Sequence, residues 1–389
     1  MQWELMQAEL QRQGLDGWLF FDHHRRDPLA YRVLRFTPSS PVTRRWFYFV
    51  PAHGQPRGLV HRIEAKTLEQ LPGQHDTYAG WETLTHGLQS MLGDARRVAM
   101  QYSPDCAVPL VSMVDAGTVE MVRGLGIDVV SSANLIQFFE STWSQIQLES
   151  HMEAGRRVDR IRHDAFKRVS EQLRARQRVT EWEIAEFIRQ CFAEQHLITD
   201  HGPDVAVNSN ASNPHYEPTR EKCAEIRQGD TILMDMWAKL DQPGSVYYDI
   251  TWVGFCGQHP SAEYERVFNI VRDARDKAVR FVQDSVSAGN QICGYQVDDA
   301  ARSHIDKHGL GEFFFHRTGH SIGEDVHGAG ANMDNLETHD ERKIIPWTCF
   351  SVEPGVYLPA FGIRLEVDVF VDDSEARVTG EIQDKLVLL

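Results

Sequence analysis

Apolar positions follow two rhythms along this chain. Over its first third, apolar runs of strand length alternate with stretches of helical period. Trp3 to Leu10 has the spacing of an amphipathic helix, and Trp18-Leu19-Phe20-Phe21 reads as a buried strand. Trp46-Phe47-Tyr48-Phe49-Val50, Arg97-Val98-Ala99-Met100 and Ile127-Asp128-Val129-Val130 read as further strands. Helical patterns lie near Trp81 to Leu92 and Met113 to Val122, and Gly54, Pro56, Pro72 and Gly73 punctuate the connections. The alternation predicts an α/β domain.

From about Trp143 the rhythm changes. A long helix carries Val158, Ile161, Ala165, Phe166, Val169 and Leu173 on one face and stops near Arg178. Thr180-Glu181-Trp182-Glu183 has the spacing of a capping box and opens a second helix through Ile184, Phe187, Ile188 and Phe192. Ser261 opens a third, with Val267, Phe268, Val271, Ala274, Ala278 and Phe281 inward. Between and after them come paired strand-like segments: Thr231 to Met236 with Val246 to Phe255, and Thr348 to Leu358 with Gly362 to Val371. The expected class is α/β (α+β) with two domains, residues 1–145 and 146–389. No Ser- or Pro-rich linker marks the junction.

Composition narrows the function classes. The 389 residues carry a formal net charge of −16, which argues against a nucleic-acid or anionic-membrane partner, because phosphate binding needs clustered Lys and Arg. No stretch approaches the ~18 uninterrupted apolar residues of a membrane helix. The start, Met1-Gln2-Trp3-Glu4-Leu5, has neither the basic nor the apolar region of an export signal. Cys106, Cys191, Cys223, Cys256, Cys293 and Cys349 lie far apart without CxxC spacing, so buried free thiols are expected rather than disulfides or a zinc–thiolate site. These features point to the cytoplasm.

The chemistry lies where charge interrupts apolar strands. Asp235 breaks Thr231-Ile232-Leu233-Met234-Asp235-Met236-Trp237, and Asp249 breaks Val246-Tyr247-Tyr248-Asp249-Ile250-Thr251-Trp252-Val253. Glu353 in Phe350-Ser351-Val352-Glu353-Pro354 and Glu366 in Ile363-Arg364-Leu365-Glu366-Val367 do the same. Burying an ionised carboxylate costs several kcal/mol unless it is paired or metal-bound. Taken singly, a strand aspartate is ordinarily solvated or caps a turn, and Glu366 has a simple partner in Arg364, its same-face neighbour at i−2. Four together would repel one another and raise each other's pKa. Two divalent cations would balance them, with a hydroxide between the metals.

A histidine loop lies between these strands: His316-Arg317-Thr318-Gly319-His320-Ser321-Ile322-Gly323-Glu324-Asp325-Val326-His327-Gly328. One histidine in an apolar setting is usually a satisfied core residue. Three, with glycines that allow close backbone approach, favour a site.

Thr318-Gly319-His320, Ser351-Val352-Glu353-Pro354-Gly355-Val356-Tyr357 and Gly362-Ile363-Arg364-Leu365-Glu366 closely resemble the motifs of the pita-bread metallopeptidases, the family of methionine aminopeptidase, aminopeptidase P and prolidase. That family's ligands come in the order Asp, Asp, His, Glu, Glu, which this chain matches with Asp235, Asp249, His320, Glu353 and Glu366. Asn213-Pro214-His215-Tyr216 resembles its upstream catalytic-histidine segment, and residues 1–145 resemble the extra N-terminal domain of the Xaa-Pro-cleaving branch. Several positions depart from the pattern. The Asp235–Asp249 interval is longer, through Leu240-Asp241-Gln242-Pro243-Gly244, which a longer hairpin loop explains better than Asp241 acting as a substitute ligand. Met236-Trp237, Trp252, Ser321 and Gly328 also differ, and bear on substrate range more than on metal binding.

The resemblance implies a pita-bread catalytic domain behind a smaller α/β domain. It implies a metal-dependent peptidase that hydrolyses Xaa-Pro bonds in dipeptides or at peptide N-termini. Two divalent ions are expected, Mn²⁺ first, with Co²⁺ or Zn²⁺ also compatible with such a hard donor set. By the same resemblance Asp235 chelates one ion, His320 and Glu353 serve the other, and Asp249 and Glu366 bridge. Glu353 also relays a proton, while His215, His316 and His327 hold the substrate and its oxyanion. A homodimer is implied, without nucleic acid or membrane partners. His23-His24-Arg25-Arg26 reads as a solvated basic turn, or as an arm reaching a site in its own or a partner subunit. The rival readings are a lyase or phosphotriester hydrolase on the same dinuclear scaffold, and an inactive pita-bread binding protein.

Overall fold

Trp18, Leu19 and Phe20 are fully buried in the computed structural model, which describes residues 2–39 and 41–389; Met1, the first residue of the start considered above, and Ser40 lie outside the described residues. The three belong to β1 (Gly17–Asp22), in the first of two units into which the chain divides, residues 1–140 and 141–389.

In the first unit α1 (Gln2–Arg12), β1, α2 (Pro28–Leu34), β2 (Trp46–Pro51), β3 (Arg57–His61), β4 (Gln74–Tyr78), α3 (Trp81–Leu92), β5 (Arg97–Met100), α4 (Ala116–Arg123), β6 (Asp128–Ser131) and α5 (Ala133–Ser141) follow in order. The strands form a sheet in the order β4-β3-β2-β1-β5-β6. It is mixed: β1 runs antiparallel to β2 and parallel to β5. The periodic reading finds α1, β1, β2, α3, β5, α4 and β6 but misses α2, β3, β4 and α5. β4 is an edge strand whose sequence, Gln-His-Asp-Thr-Tyr, buries only Tyr78, so no apolar rhythm reveals it. The His23–Arg26 segment is a turn pinned from behind. Asp22 accepts the backbone N–H groups of Arg25 (2.9 Å), Arg26 (2.7 Å) and Asp27 (3.0 Å), and the hydroxyl of Tyr31 (2.5 Å).

The second unit opens with α6 (Gln145–Arg174) and α7 (Glu181–Glu194). Ser144 caps α6 and Thr180 caps α7, each in a capping box, a contribution of about 1 kcal/mol apiece. α6 ends at Arg174, a turn earlier than expected. Then come β7 (Leu197–Ile198), β8 (Asp204–Val207), β9 (Thr231–Leu240), β10 (Tyr248–Phe255), α8 (Ala262–Ser287), capped by Ser261, and α9 (Gly294–Lys307), which the apolar rhythm does not reveal. β11 (Ser321–Ile322), β12 (Thr348–Val352), β13 (Gly355–Leu358), β14 (Phe361–Arg364), β15 (Val367–Val371), β16 (Ala376–Val378) and β17 (Val387–Leu388) complete it.

One sheet runs β17-β10-β9-β7, with β8 also paired to β9; another runs β11-β12-β15-β16; β13 and β14 form a hairpin. Successive strand residues point to opposite faces, and here both faces are covered. From β9 and β10, Met234, Met236, Ile250 and Trp252 pack with Val158, Ile161 and Phe166 of α6. Leu233 and Val253, on the other face, join Val267, Phe268 and Val271 of α8 and Val352, Ile363 and Val367. An apolar run with an aspartate in it is the sequence of such a doubly covered strand.

One expectation is borne out with a break, and another is corrected here. The segment Thr348 to Leu358 pairs with Gly362 to Val371 in one register but as two ladders. β12 pairs with β15 from Thr348↔Val371 to Val352↔Val367, and β13 with β14 from Gly355↔Arg364. Both glutamates therefore sit in the interruption between ladders rather than inside strands. The cysteines are free, but only Cys256 and Cys349 are buried, and Cys106 is exposed. Among the described residues no helix is long and apolar enough to cross a membrane.

Candidate metal centre

The β9–β10 hairpin sets the first two carboxylates. Asp235 faces Thr251 across the ladder and Asp249 faces Trp237, so the four side chains leave the same face of the sheet. Met236 and Trp252 point the other way, into the α6 core, where the Arg162 guanidinium lies 3.5 Å over the Trp252 ring. Of these departures from the family pattern only Trp237 meets the cavity, with its indole N–H donated to Asp200 (2.9 Å). Asp241 is exposed in the hairpin loop, away from the cluster.

The register of the two ladders carries across their interruption, so Glu353 and Glu366 stand at facing positions within it. Their N–H groups point outward from the facing pair: Glu353 N to Thr318 O (2.7 Å), in the register of β11 with β12, and Glu366 N to Thr251 O (3.1 Å). Each bond docks a segment that carries another candidate ligand, Thr318 lying two before His320 and Thr251 two after Asp249. The approach at His320 requires a glycine, because a Cβ on Gly319 would lie 1.9 Å from Ser351 O. Ser351 Oγ then accepts from His320 N (3.0 Å) and donates to Glu353 Oε1 (3.2 Å). Ser321, where the family has glycine, fits because its neighbours are small: a Cβ on Gly328 or Gly330 would come within 2.9 or 2.6 Å of its Oγ.

Asp235, Asp249, His320, Glu353 and Glu366 all line one cavity of about 630 Å³, with His215, His316 and His327 in the same wall. Donor atoms of Asp249, His320 and Glu366 lie within 4.8 Å of one another. Thr251 Oγ1 lies 2.7 Å from Asp235 Oδ1 and 2.8 Å from Glu366 Oε2, and accepts from Arg364 Nε at 2.9 Å. Arg364 also donates to Asp235 Oδ2 and to Tyr357 Oη (3.2 Å). Its guanidinium thus serves Asp235, with Glu353 3.7 Å away, and not Glu366 as the same-face spacing suggested.

Electrostatics say what is missing. Burial first, and the charge of Asp235 next, hold the Asp249 carboxyl well above the usual carboxylate range. Burial and Asp249 do the same to Glu366, and burial above all pushes Glu353 up to about 7. His320 Nδ1 is 3.1 Å from Ser321 O, an acceptor only, so this nitrogen carries the proton. Burial, then His327, lowers the His320 pKa well below its usual value, leaving a neutral ring whose Nε2 lone pair faces Asp249 Oδ2 at 3.6 Å and Glu353 Oε1 at 3.4 Å. A neutral nitrogen acceptor and two carboxyl oxygens converging at this spacing form a donor set that a divalent cation between them would satisfy. The donor set fits divalent metal.

The histidines differ in their surroundings. His316 donates from Nδ1 to Arg317 O (2.7 Å), and burial lowers its pKa to about 3, so Nε2 accepts from Tyr357 Oη at 2.8 Å. Both its nitrogens are engaged, and it steadies Tyr357. His327 stands edge-on to His320 with ring centroids 4.4 Å apart, and His215 lies on an exposed loop at the cavity. Thr251, Arg364, Tyr357 and Asp204 are the cavity and support residues to which sequence reasoning gave no role in the site; Arg364 and Tyr357, which stand in the quoted motifs, left a signal.

Buried oxygen donors and one imidazole around a cavity, on a sheet pair backed by helices, form a candidate metal centre on the pita-bread fold. Residues 152–373 match the model of metallopeptidase family M24, and the chain belongs to that family. It is 29% identical to an Xaa-Pro dipeptidase of Lactobacillus helveticus over 163 residues, 42% of this chain but only 40% of that protein. It is 25% identical to a probable dipeptidase PepE of Mycobacterium bovis over 350 residues, 87% of this chain and 84% of that one. The fold is similar to the solved dipeptidase PepE from Mycobacterium ulcerans: TM-score 0.71 at 21% identity, covering 100% of this chain and 96% of the other.

Proposed function

We propose that this chain is a two-metal peptidase of the Xaa-Pro branch, cleaving the bond before proline. The observation that carries the reading is the convergence of Asp235, Asp249, His320, Glu353 and Glu366 on one cavity. The names of the relatives, an Xaa-Pro dipeptidase and a probable dipeptidase, support it. We take residues 1–145 as the accessory domain of that branch and 146–389 as the catalytic domain. Mn²⁺ is the preferred ion, because four oxygen donors and one imidazole form a hard site. Free thiols and acidic charge suit a cytoplasmic enzyme, and a homodimer is expected from the resemblance, to be checked by sedimentation.

Asp249 and Glu366, whose donor atoms cluster with His320, would be shared by the two ions, and Asp235, His320 and Glu353 would be the remaining ligands. When bound, such a pair polarises a carbonyl and acidifies water. The remaining work falls to the side chains. Glu353, held through Oε1 by Ser351, takes the proton of the attacking water and passes it to the proline nitrogen. His215 and His327 supply hydrogen bonds to the developing oxyanion. His316 acts through Tyr357. Trp237, Phe315 and Val326 give the cavity an apolar wall against which a pyrrolidine ring packs. The test is a paired assay of Gly-Pro and Gly-Ala with added Mn²⁺, alongside elemental analysis. Gly-Pro should be cleaved at least about tenfold faster. Equal rates, no hydrolysis, or a protein that binds no divalent ion would overturn the reading.

A further inference from the structure

Asp204 begins β8 and stands directly opposite Asp235 in the β8–β9 ladder. Opposite residues of an antiparallel pair project from the same face with Cβ atoms roughly 5 Å apart, and like charges so placed repel. Both line the cavity. A structural acid would normally have a local partner. Arg364 is committed to Asp235, Thr251 and Tyr357. Arg189 is committed to Gly202 O (2.9 Å), Glu186 and Glu217. Among the described residues no hydrogen bond or ion pair reaches the Asp204 carboxylate.

The position is also rigid. Gly202 has φ +72°, and a Cβ there would lie 2.3 Å from the Trp237 ring, so the turn before Asp204 is packed against the cavity wall. Arg189 ties the same turn down through Gly202 O. Asp204 is therefore a fixed, half-buried carboxylate that faces the cavity beside a candidate metal ligand. Among the described residues it has no protein cation of its own, and it is free to receive a cationic group of a bound ligand.

We propose that Asp204 is a specificity-determining residue that anchors a primary ammonium group on the substrate residue contributing the scissile carbonyl. Its neighbour Asp235 is a candidate metal ligand, so a group reaching Asp204 lies on the carbonyl side of the bond cleaved. The inference rests on the peptidase reading above. The ammonium is either the free amino terminus or a lysine side chain, and two matched pairs distinguish them. Acetyl-proline is glycyl-proline without its α-ammonium, and norleucyl-proline is lysyl-proline without its side-chain ammonium.

The experiment measures kcat/KM for all four compounds on the metal-loaded wild type and on Asp204→Asn, Asp204→Ser and Asp204→Glu. Preference for the ammonium-bearing member of at least one pair should fall by about tenfold or more in Asn and Ser, and recover in Glu. Calorimetric binding of N-(2-aminoethyl)proline against N-ethylproline, and of their homologues carrying the lysine or norleucine side chain, gives a readout without turnover. If nothing is hydrolysed but ammonium preference in binding depends on Asp204, the peptidase reading fails and this inference stands. Unchanged preference in every variant overturns it, as does loss of metal from Asp204→Asn, which would make the residue a ligand.

Discussion

Replacing Thr251 by valine removes one hydroxyl and almost no volume, and it should cost metal rather than fold. Thr251 is fully buried, and its Oγ1 joins three charged groups: Asp235 at 2.7 Å, Glu366 at 2.8 Å and Arg364 at 2.9 Å. A hydroxyl has one proton, so it serves one carboxylate fully or both weakly, while its lone pair takes the guanidinium. A hydrogen bond to a charged group contributes about 1.5–3 kcal/mol, and removing a support behind metal ligands costs about 10–100-fold in affinity. These figures agree, since tenfold is about 1.4 kcal/mol. The assay is competition of each variant with a chelator of known affinity, followed by kcat at saturating metal. Thr251→Ser, which keeps the hydroxyl, should retain most of the affinity. If the valine variant binds metal like the wild type, or serine proves as weak as valine, Thr251 does not orient the ligands.

Asp249→Ala should lose most of its metal and its activity together, while Asp241→Ala in the exposed hairpin loop should keep both; elemental analysis of the two decides between the candidate aspartates. His320→Ala should weaken metal binding, whereas His327→Ala and His215→Ala should keep the metal and lower kcat/KM by about tenfold or more. Equal metal loss in all three would undo that division of roles. Between about pH 5 and about pH 8 the melting temperature of metal-free Glu353→Gln should fall less, or rise more, than that of metal-free wild type. In the folded chain Glu353 holds its proton from its ordinary 4.5 up to about 7, so its contribution is complete below that window and lost as pH rises through it. The lowered pKa values of His151, His316 and His320 act in the opposite sense but are shared by both proteins, so identical pH dependence in the two would contradict the assignment.

What could be read from the sequence had a local cause. A cap is a matter of three neighbouring residues, so Ser261 and the Thr180–Glu183 box are visible without the fold. The motif positions are visible because an acid in an apolar run has few structural excuses. The polar edge strand β4 was not legible because its pairing partner, rather than its own pattern, makes it a strand. α9 was missed for a related reason: its buried positions include Gly294, Asp298 and His304, which no hydrophobic scale marks as core. Asp298 is buried because it accepts the backbone and hydroxyl of Thr318 and pairs with Arg302. That network supports the segment leading to His320.

The cavity's support residues were illegible for a different reason: they meet across long stretches of chain. Arg364 and Asp235 are 129 positions apart, and Thr251 and Glu366 are 115 apart. Periodicity within a strand cannot report such meetings. The bland alternative it offered for Glu366, pairing with Arg364 through the i−2 rule, does not hold. That rule holds only along an unbroken strand. β14 ends at Arg364 and β15 begins at Val367, so Glu366 stands in the gap and owes its direction to the bond between its N–H and Thr251 O. The same gap frees Arg364 for Asp235. Glu353 N–H points the same way as Ser351 N–H, which bonds His320 O, so its bond to Thr318 O continues the β11–β12 pairing and docks the His320 loop. Glu366 N–H points outward on the other side, to Thr251 O, so the facing pair ties the His320 loop and β10 together and gathers the donors.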